Sequence, residues 1–396
     1  MKKKLMLISP MLHQGGFERV CVTTARLLAP YFDVTIVIFD STNIAYDVTG
    51  LHIIDIKMGV KKGKWRKLMQ LIKRSRRVRQ LKARMQPDIA YSFGPTANMV
   101  NALSKVRGTK TWLGLRNYTD IEETVQIRWF IRRADLMVCC SKVIEEVLKK
   151  KFGFHNTVTL YNLYDVDTIR AQAAEGEPKL PWPEAEGKYL ISMGRDDDQK
   201  GFWHMLKIFA CVHRQRPEAR LIILGAGTFV QYKKLAAGLG IADAVYFAGM
   251  RKDPYCYLKK ASIYLLTSLN EGFPNALVEG MALGLAAVAA DCMTGPREIL
   301  LADCQQDNMA AGKQSIDQRD GVIWGEYGVL LPAMSGVKNL NGDEISQEEE
   351  IFAQAVIQLL QDEDLLQQYQ QAALKRAGNF TYESYIEQFL QLAKQG

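Results

Sequence analysis

Glu271 and Glu279 sit where carboxylates can do chemistry. Seven residues separate them, and the segment between runs Gly272-Phe273-Pro274-Asn275-Ala276-Leu277-Val278. A strand-like run, Ile263-Tyr264-Leu265-Leu266-Thr267, precedes the pair. Pro274 suits the first position of a helix, where its missing N–H is not needed. This places Glu271 on a loop at the carboxyl end of a strand and Glu279 on the helix that follows. The N–H groups of Phe273, Pro274-flanked Asn275, Ala276 and Leu277 lie between them. A helix N-terminus at such a point of an open parallel sheet favours phosphate. A glutamate accepts hydrogen bonds from a vicinal diol and repels phosphate itself. The two together suit a ligand that carries hydroxyls as well as phosphate.

A second cluster is Gly194-Arg195-Asp196-Asp197-Asp198-Gln199-Lys200-Gly201, again after a strand-like run. Gly194 lets the backbone turn. Arg195 supplies a guanidinium fork and Lys200 a point charge, a pair suited to clamping a diphosphate. Asp196 and Asp198 spell the D-x-D with which one-domain glycosyltransferases bind manganese. Between two cations they read instead as solvated or helix-capping acids.

The glutamate pair, with Gly-Phe-Pro-Asn-Ala inside it, resembles the paired-glutamate motif of the retaining glycosyltransferases of family 4. That resemblance implies the GT-B architecture: an α/β fold of two Rossmann-like, doubly wound parallel-sheet domains facing across a cleft. It implies that Glu279 holds the ribose hydroxyls and Glu271 those of the sugar. Arg195 and Lys200 then bind the donor diphosphate and stabilise the departing nucleotide. Gly15-Gly16-Phe17-Glu18-Arg19-Val20 is similar to the family's Gly-Gly-Ala-Glu-Arg-Val, with Gly15 and Gly16 closing over the donor. Arg116-Asn117 stands about where many members have a histidine. An arginine is no general base at neutral pH, so Arg116 is expected to hold a phosphate or the donor sugar, and Asn117 to touch acceptor or sugar. Gly225 and Met250, each after a strand, line the nucleotide pocket in the family, and Thr294-Gly295-Pro296-Arg297-Glu298-Ile299 resembles one of its turns.

The elements that must position these residues alternate. Strands are expected at 5–9, 34–39, 52–56, 89–93, 111–115, 136–140 and 158–161, then at 189–193, 219–224, 245–248, 263–267, 287–290 and 328–331, with helices between most of them. Prolines and charges at 173–188 break the rhythm. The expected organisation is a first domain over 1–170, a linker over 171–187, a second domain over 188–380 and a helix at 381–396 that, by resemblance, crosses back. A long surface loop is expected from Cys304 to Glu326.

Composition narrows the class further. Hydrophobic residues make up 48% and charged residues 24%, ordinary for a globular protein. The seven cysteines show no CxxC pair and the five histidines no metal-ligand spacing, so the expectation is buried thiols in the cytoplasm, no cofactor and no metal. The net charge is +8, and Lys61–Arg84 holds twelve basic residues and no acid. Leu68, Leu71, Ile72, Val78, Leu81 and Met85 recur there at helical spacing, so the apolar stripe is expected to pack inward and the basic face to meet an anionic membrane. Nucleic acid is not expected, for want of a recognition module. The expected partners are a nucleotide-sugar donor, UDP-linked, and a lipid-linked saccharide at the inner face of the cell membrane. A GT-B epimerase and a non-catalytic polyanion- or lipid-binding protein are the alternatives.

Overall fold

The computed structural model describes residues 2–13, 15–59, 63–122, 124–183, 188–302, 318–319 and 321–395. Gln14, Lys61, Lys62, Cys304, most of the expected 304–326 loop and the end of the expected linker lie outside the described residues. Two compact units emerge, Met1–Leu163 with Tyr382–Gly396, and Tyr164–Thr381.

The first unit is built on seven parallel strands: β1 (Lys3–Ser9), β2 (Phe32–Ile38), β3 (His52–Asp55), β4 (Ile89–Phe93), β5 (Lys110–Leu115), β6 (Leu136–Cys139) and β7 (Thr157–Thr159), in the order β3-β2-β1-β4-β5-β6-β7. Central strands such as β4 are buried along their whole length, which is why they read as unbroken apolar runs. Between the strands run α1 (Gly16–Leu28), α2 (Lys64–Met85), α3 (Pro95–Leu103), α4 (Thr124–Ile131) and α5 (Lys142–Phe152). The last helix of the chain belongs here as well. Its residues Tyr385, Phe389 and Ala393 enter the core beside Phe32, Tyr91 and Trp112, with the Phe389 ring 5.4 Å from Trp112 and 5.8 Å from Phe32.

A polar network is buried in this unit. Lys82 on α2 is fully buried and donates to the Asn101 side chain (2.6 Å) and carbonyl (3.1 Å). Asn101 in turn donates to Ala90 O and Trp112 O. Burial pulls the Lys82 ammonium down to about 7. A free amine titrates near ~10.4, so between those values the unfolded chain binds more protons and stability rises with pH. Denaturant melts of wild type against Lys82→Met should show this rise, on the order of a few kcal/mol between about pH 7 and 10, only in the wild type. Parallel curves over that window would contradict it.

The second unit opens with α6 (Val166–Glu175) and carries β8 (Tyr189–Met193), β9 (Arg220–Leu224), β10 (Val245–Gly249), β11 (Ile263–Leu266), β12 (Ala286–Ala290), β13 (Gln318–Arg319), β14 (Val322–Trp324) and β15 (Val329–Leu331). Its sheet order is β10-β9-β8-β11-β12-β15-β14-β13, parallel as far as β15. The helices are α7 (Phe202–Gln215), α8 (Val230–Gly238), α9 (Pro254–Lys260), α10 (Asn275–Ala282), α11 (Pro296–Leu300), α12 (Gln347–Gln361) and α13 (Glu363–Ala377), before α14 (Tyr382–Gln395) rejoins the first unit.

Three expectations need correction here. The chain enters the second unit at Tyr164, before the expected linker, because α6 is capped by Asp165 and packs on α9 and α10. The stretch before Glu326 is not all surface loop. Val322 and Ile323 are buried, and β14 pairs antiparallel with β15; a three-residue strand is too short to show a period. Arg74, counted with the outward basic face, is buried. Its guanidinium donates to Met58 O and lies 4.8 Å over the Phe39 ring.

Candidate active site

In the second unit the strand order reverses between β8 and β11, the switch point where open α/β sheets bind ligands. The loop after β8 carries Gly194, Arg195 and Lys200, and the loop after β11 carries Glu271. Adjacent strands therefore bring the two clusters together. Gln199 ties the loops: its carbonyl accepts from the Leu269 amide (2.8 Å) and its side chain donates to Asn270 O (2.8 Å). The Thr267 hydroxyl donates to Lys200 O at 3.1 Å. Lys200 Nζ then meets Glu271 Oε1 at 2.7 Å, with the Glu271 side chain 10% exposed. The assigned cation and carboxylate thus form one half-buried ion pair. An ammonium has three donors, so Lys200 keeps capacity for a phosphate oxygen while Glu271 fixes its position. Arg195 is exposed, and its guanidinium has no hydrogen bond or ion pair among the described residues.

Glycine is required where β9 ends. Gly225 has φ +146°, and a Cβ there would lie 1.7 Å from Gly194 O. The backbones of the β8 and β9 loops therefore touch, and the amide of Gly194 donates to Leu224 O (2.9 Å). Met250, after β10, is exposed, an apolar surface at the same sheet edge.

Helix α10 begins one residue later than expected. Pro274 is its N-cap, and Asn275 is the first helical residue. The Leu277 amide already donates to Pro274 O (3.1 Å), so it is not available to a ligand. Phe273 is buried with its ring 5.2 Å from Phe380, and Leu277 is wholly buried. Their side chains hold the turn in place. Asn275 Oδ1 accepts from the Tyr164 hydroxyl at 2.6 Å, and Ala276 follows it in the first turn. Glu279 is 2% exposed and receives the Tyr255 hydroxyl at 3.4 Å. Tyr255 and Gln199 were not foreseen, since nothing local in sequence marks a hydroxyl or amide that acts across a sheet edge.

The three aspartates separate. Asp196 accepts from the Phe229 amide (2.7 Å), Asp197 caps Gln199, and Asp198 pairs with Lys338 (2.5 Å) and receives the Tyr232 hydroxyl. The Asp198 carboxyl sits below the ordinary range chiefly through its Lys338 hydrogen bond. Among the described residues no three His, Cys, Asp or Glu side chains cluster so as to hold a metal. Cys292, the thiol near Glu271, is pushed well up by burial and then by the Glu271 and Asp291 charges. A protonated thiol is a poor nucleophile.

The candidate residues of the first unit are more committed than expected. Gly15 is the N-cap of α1. Its amide donates to the Tyr46 hydroxyl (2.9 Å), and a Cβ there would collide with the Glu18 carboxylate. Gly16 starts the helix. Arg116 donates to Asn162 Oδ1 (3.2 Å) and the Tyr91 hydroxyl, with its guanidinium 5.0 Å from the Phe93 ring centroid. Asn117 forms a capping box with Asp120 at the following 3₁₀ turn. These contacts make Asn117 a turn-former and Arg116 a cation held among aromatic rings.

Residues 14–168 match the family model Glycosyltransferase Family 4, and residues 177–306 match Glycosyl transferases group 1. The chain belongs to the family 4 glycosyltransferases, of GT-B type. This glycosyltransferase is 28% identical over 345 residues to an uncharacterized glycosyltransferase of Methanocaldococcus jannaschii, a match covering 81% of this chain and 82% of that one. It is 24% identical to the N-acetylgalactosamine-N,N'-diacetylbacillosaminyl-diphospho-undecaprenol 4-alpha-N-acetylgalactosaminyltransferase of Campylobacter jejuni, over 75% of this chain and 83% of that one. The crystal structure of Anabaena Alr3699/HepE in complex with UDP superimposes with TM-score 0.74 at 17% identity, covering 99% of the glycosyltransferase and 100% of that chain. At that identity the likeness concerns the fold. Among the described residues no helix of the glycosyltransferase is long and apolar enough to cross a membrane.

Proposed function

We propose that this glycosyltransferase retains anomeric configuration and moves a hexose or N-acetylhexosamine from a UDP-sugar to a lipid-linked saccharide of a cell-surface polysaccharide. The Lys200–Glu271 pair beside Arg195 at the sheet switch point carries this reading. It sets fixed positive charge next to a carboxylate that can accept sugar hydroxyls. The Campylobacter relative, named for a diphospho-undecaprenol substrate, and the Anabaena structure with UDP support the two substrate classes. In this reading the enzyme works at the inner face of the cell membrane, where its lipid-linked acceptor lies.

In the reaction the bond from the anomeric carbon to the β-phosphate oxygen breaks. The acceptor oxygen bonds to the same face of that carbon, and its proton passes to the leaving phosphate. Negative charge grows on the diphosphate, where Lys200 and Arg195 lower the barrier. Glu279 holds the ribose diol and Glu271 the sugar hydroxyls. Lys200 and Arg195 supply the charge that a metal supplies elsewhere, so no metal is required. Proton NMR of early product, with a panel of UDP-hexoses and UDP-N-acetylhexosamines and a lipid-diphosphate-linked saccharide, tests the reading. One donor should be consumed with its anomeric configuration kept. An inverted product, or no nucleotide release with any donor, would overturn it.

A further inference from the structure

Helix α2 is amphipathic in an unusual way. Its buried residues, Arg74, Ser75, Val78, Leu81 and Lys82, lie in its middle and last turns. In the first turns the apolar residues stand outside: Trp65 is 81% exposed, Met69 52% and Leu68 47%. At 3.6 residues per turn these three share one side, centred roughly a third of a turn from the buried stripe. The inward packing expected of Leu68 therefore does not occur. A lone exposed leucine needs no explanation, but a tryptophan, a leucine and a methionine in one exposed cluster mark a contact surface.

Charge identifies the occupant. Lys64, Arg66 and Lys67 are exposed around the cluster, and Lys73, Arg76 and Arg77 continue the exposed face. No acidic residue lies anywhere on the helix. An apolar groove on a protein would accommodate the triplet but not so many uncompensated cations. A surface that offers acyl chains beneath a layer of phosphates accommodates both, and tryptophan with leucine beside lysine and arginine is the composition that lies in that layer.

We propose that Trp65, Leu68 and Met69 insert into the headgroup–acyl boundary of an anionic phospholipid bilayer, with Lys64, Arg66 and Lys67 on the lipid phosphates. The inference rests on the reading that the acceptor is lipid-linked, and it adds a mode of attachment: apolar insertion rather than adsorption by charge. Salt screens charges beyond ~8 Å at physiological strength but does not remove the apolar part, so binding should weaken with salt without vanishing.

The test uses the full chain and vesicles of phosphatidylcholine with phosphatidylglycerol. Cosedimentation should show the Trp65→Ser/Leu68→Ser/Met69→Ser variant binding at least ~10-fold more weakly. Brominated lipid should quench emission in the wild type and much less in Trp65→Phe, which isolates this residue among the six tryptophans. All three positions are exposed, so thermal melts should coincide, and turnover on a short water-soluble acceptor should match wild type. If wild type binds but the triple variant binds equally and no quenching is seen, insertion is overturned while the lipid-linked acceptor stands. If wild type binds no vesicle yet turns over a lipid-linked acceptor in detergent, the membrane surface itself is overturned. Failure to use any lipid-linked acceptor would count against the underlying reading instead.

Discussion

Replacing Lys200 with alanine should lower kcat by about 100-fold or more, and it should also lower the melting temperature. The first effect follows from losing a fixed cation at the departing diphosphate. The second follows from the ion pair, because Glu271 is 10% exposed on its side chain and would be left without its countercharge. A carboxylate left unpaired there also repels the phosphates that Lys200 had attracted. Arg195→Ala separates the two effects. Arg195 is exposed and uncommitted among the described residues, so turnover should fall by a similar factor with the melt unchanged. Steady-state kinetics beside thermal melts read both quantities. Unchanged kcat in both variants would remove the diphosphate clamp from the account.

Glu279→Ala should act on donor binding more than on chemistry. A buried carboxylate that accepts from two ribose hydroxyls contributes ~1–3 kcal/mol, so the donor KM should rise by about 5- to 150-fold, with kcat much less affected. The Tyr255 hydroxyl at 3.4 Å orients that carboxylate, and Tyr255→Phe should raise KM in the same direction by less. A fall in kcat at constant KM would mean that Glu279 serves the transferred sugar instead.

Much of the fold was legible because parallel strands buried on both faces read as continuous apolar runs. β1, β4, β8 and β11 were each recognisable in this way, as were the glycine turns after β1, β8 and β11. The short antiparallel β14 was not, because three residues carry no period. The residue types of the site were legible too, since Arg195, Lys200, Glu271 and Glu279 lie at strand ends and helix starts. What each side chain touches was not. Lys200 and Glu271 were given separate tasks, and only the adjacency of β8 and β11 shows that they form a pair. Arg74 and Lys82 looked like members of a solvated basic face. A helix of such uniform charge conceals which cations turn inward, and the inward pair is settled by carbonyl acceptors, Met58 O and Asn101 O, that lie on other elements. The local partners of Asn117 and Gly15, the Asp120 carboxylate and the Tyr46 hydroxyl, could be matched to them only in three dimensions.

The central claim is that the loops after β8 and β11, with Glu279, hold a uridine diphosphate through side chains, without a metal ion. Calorimetric titration of UDP into the chain in EDTA tests this most directly, in wild type and in the Arg195→Ala and Glu279→Ala variants. The account predicts one site per chain in wild type, retained in chelator and weakened by each substitution. Binding that appears only when manganese is added, or that is indifferent to both substitutions, would contradict it.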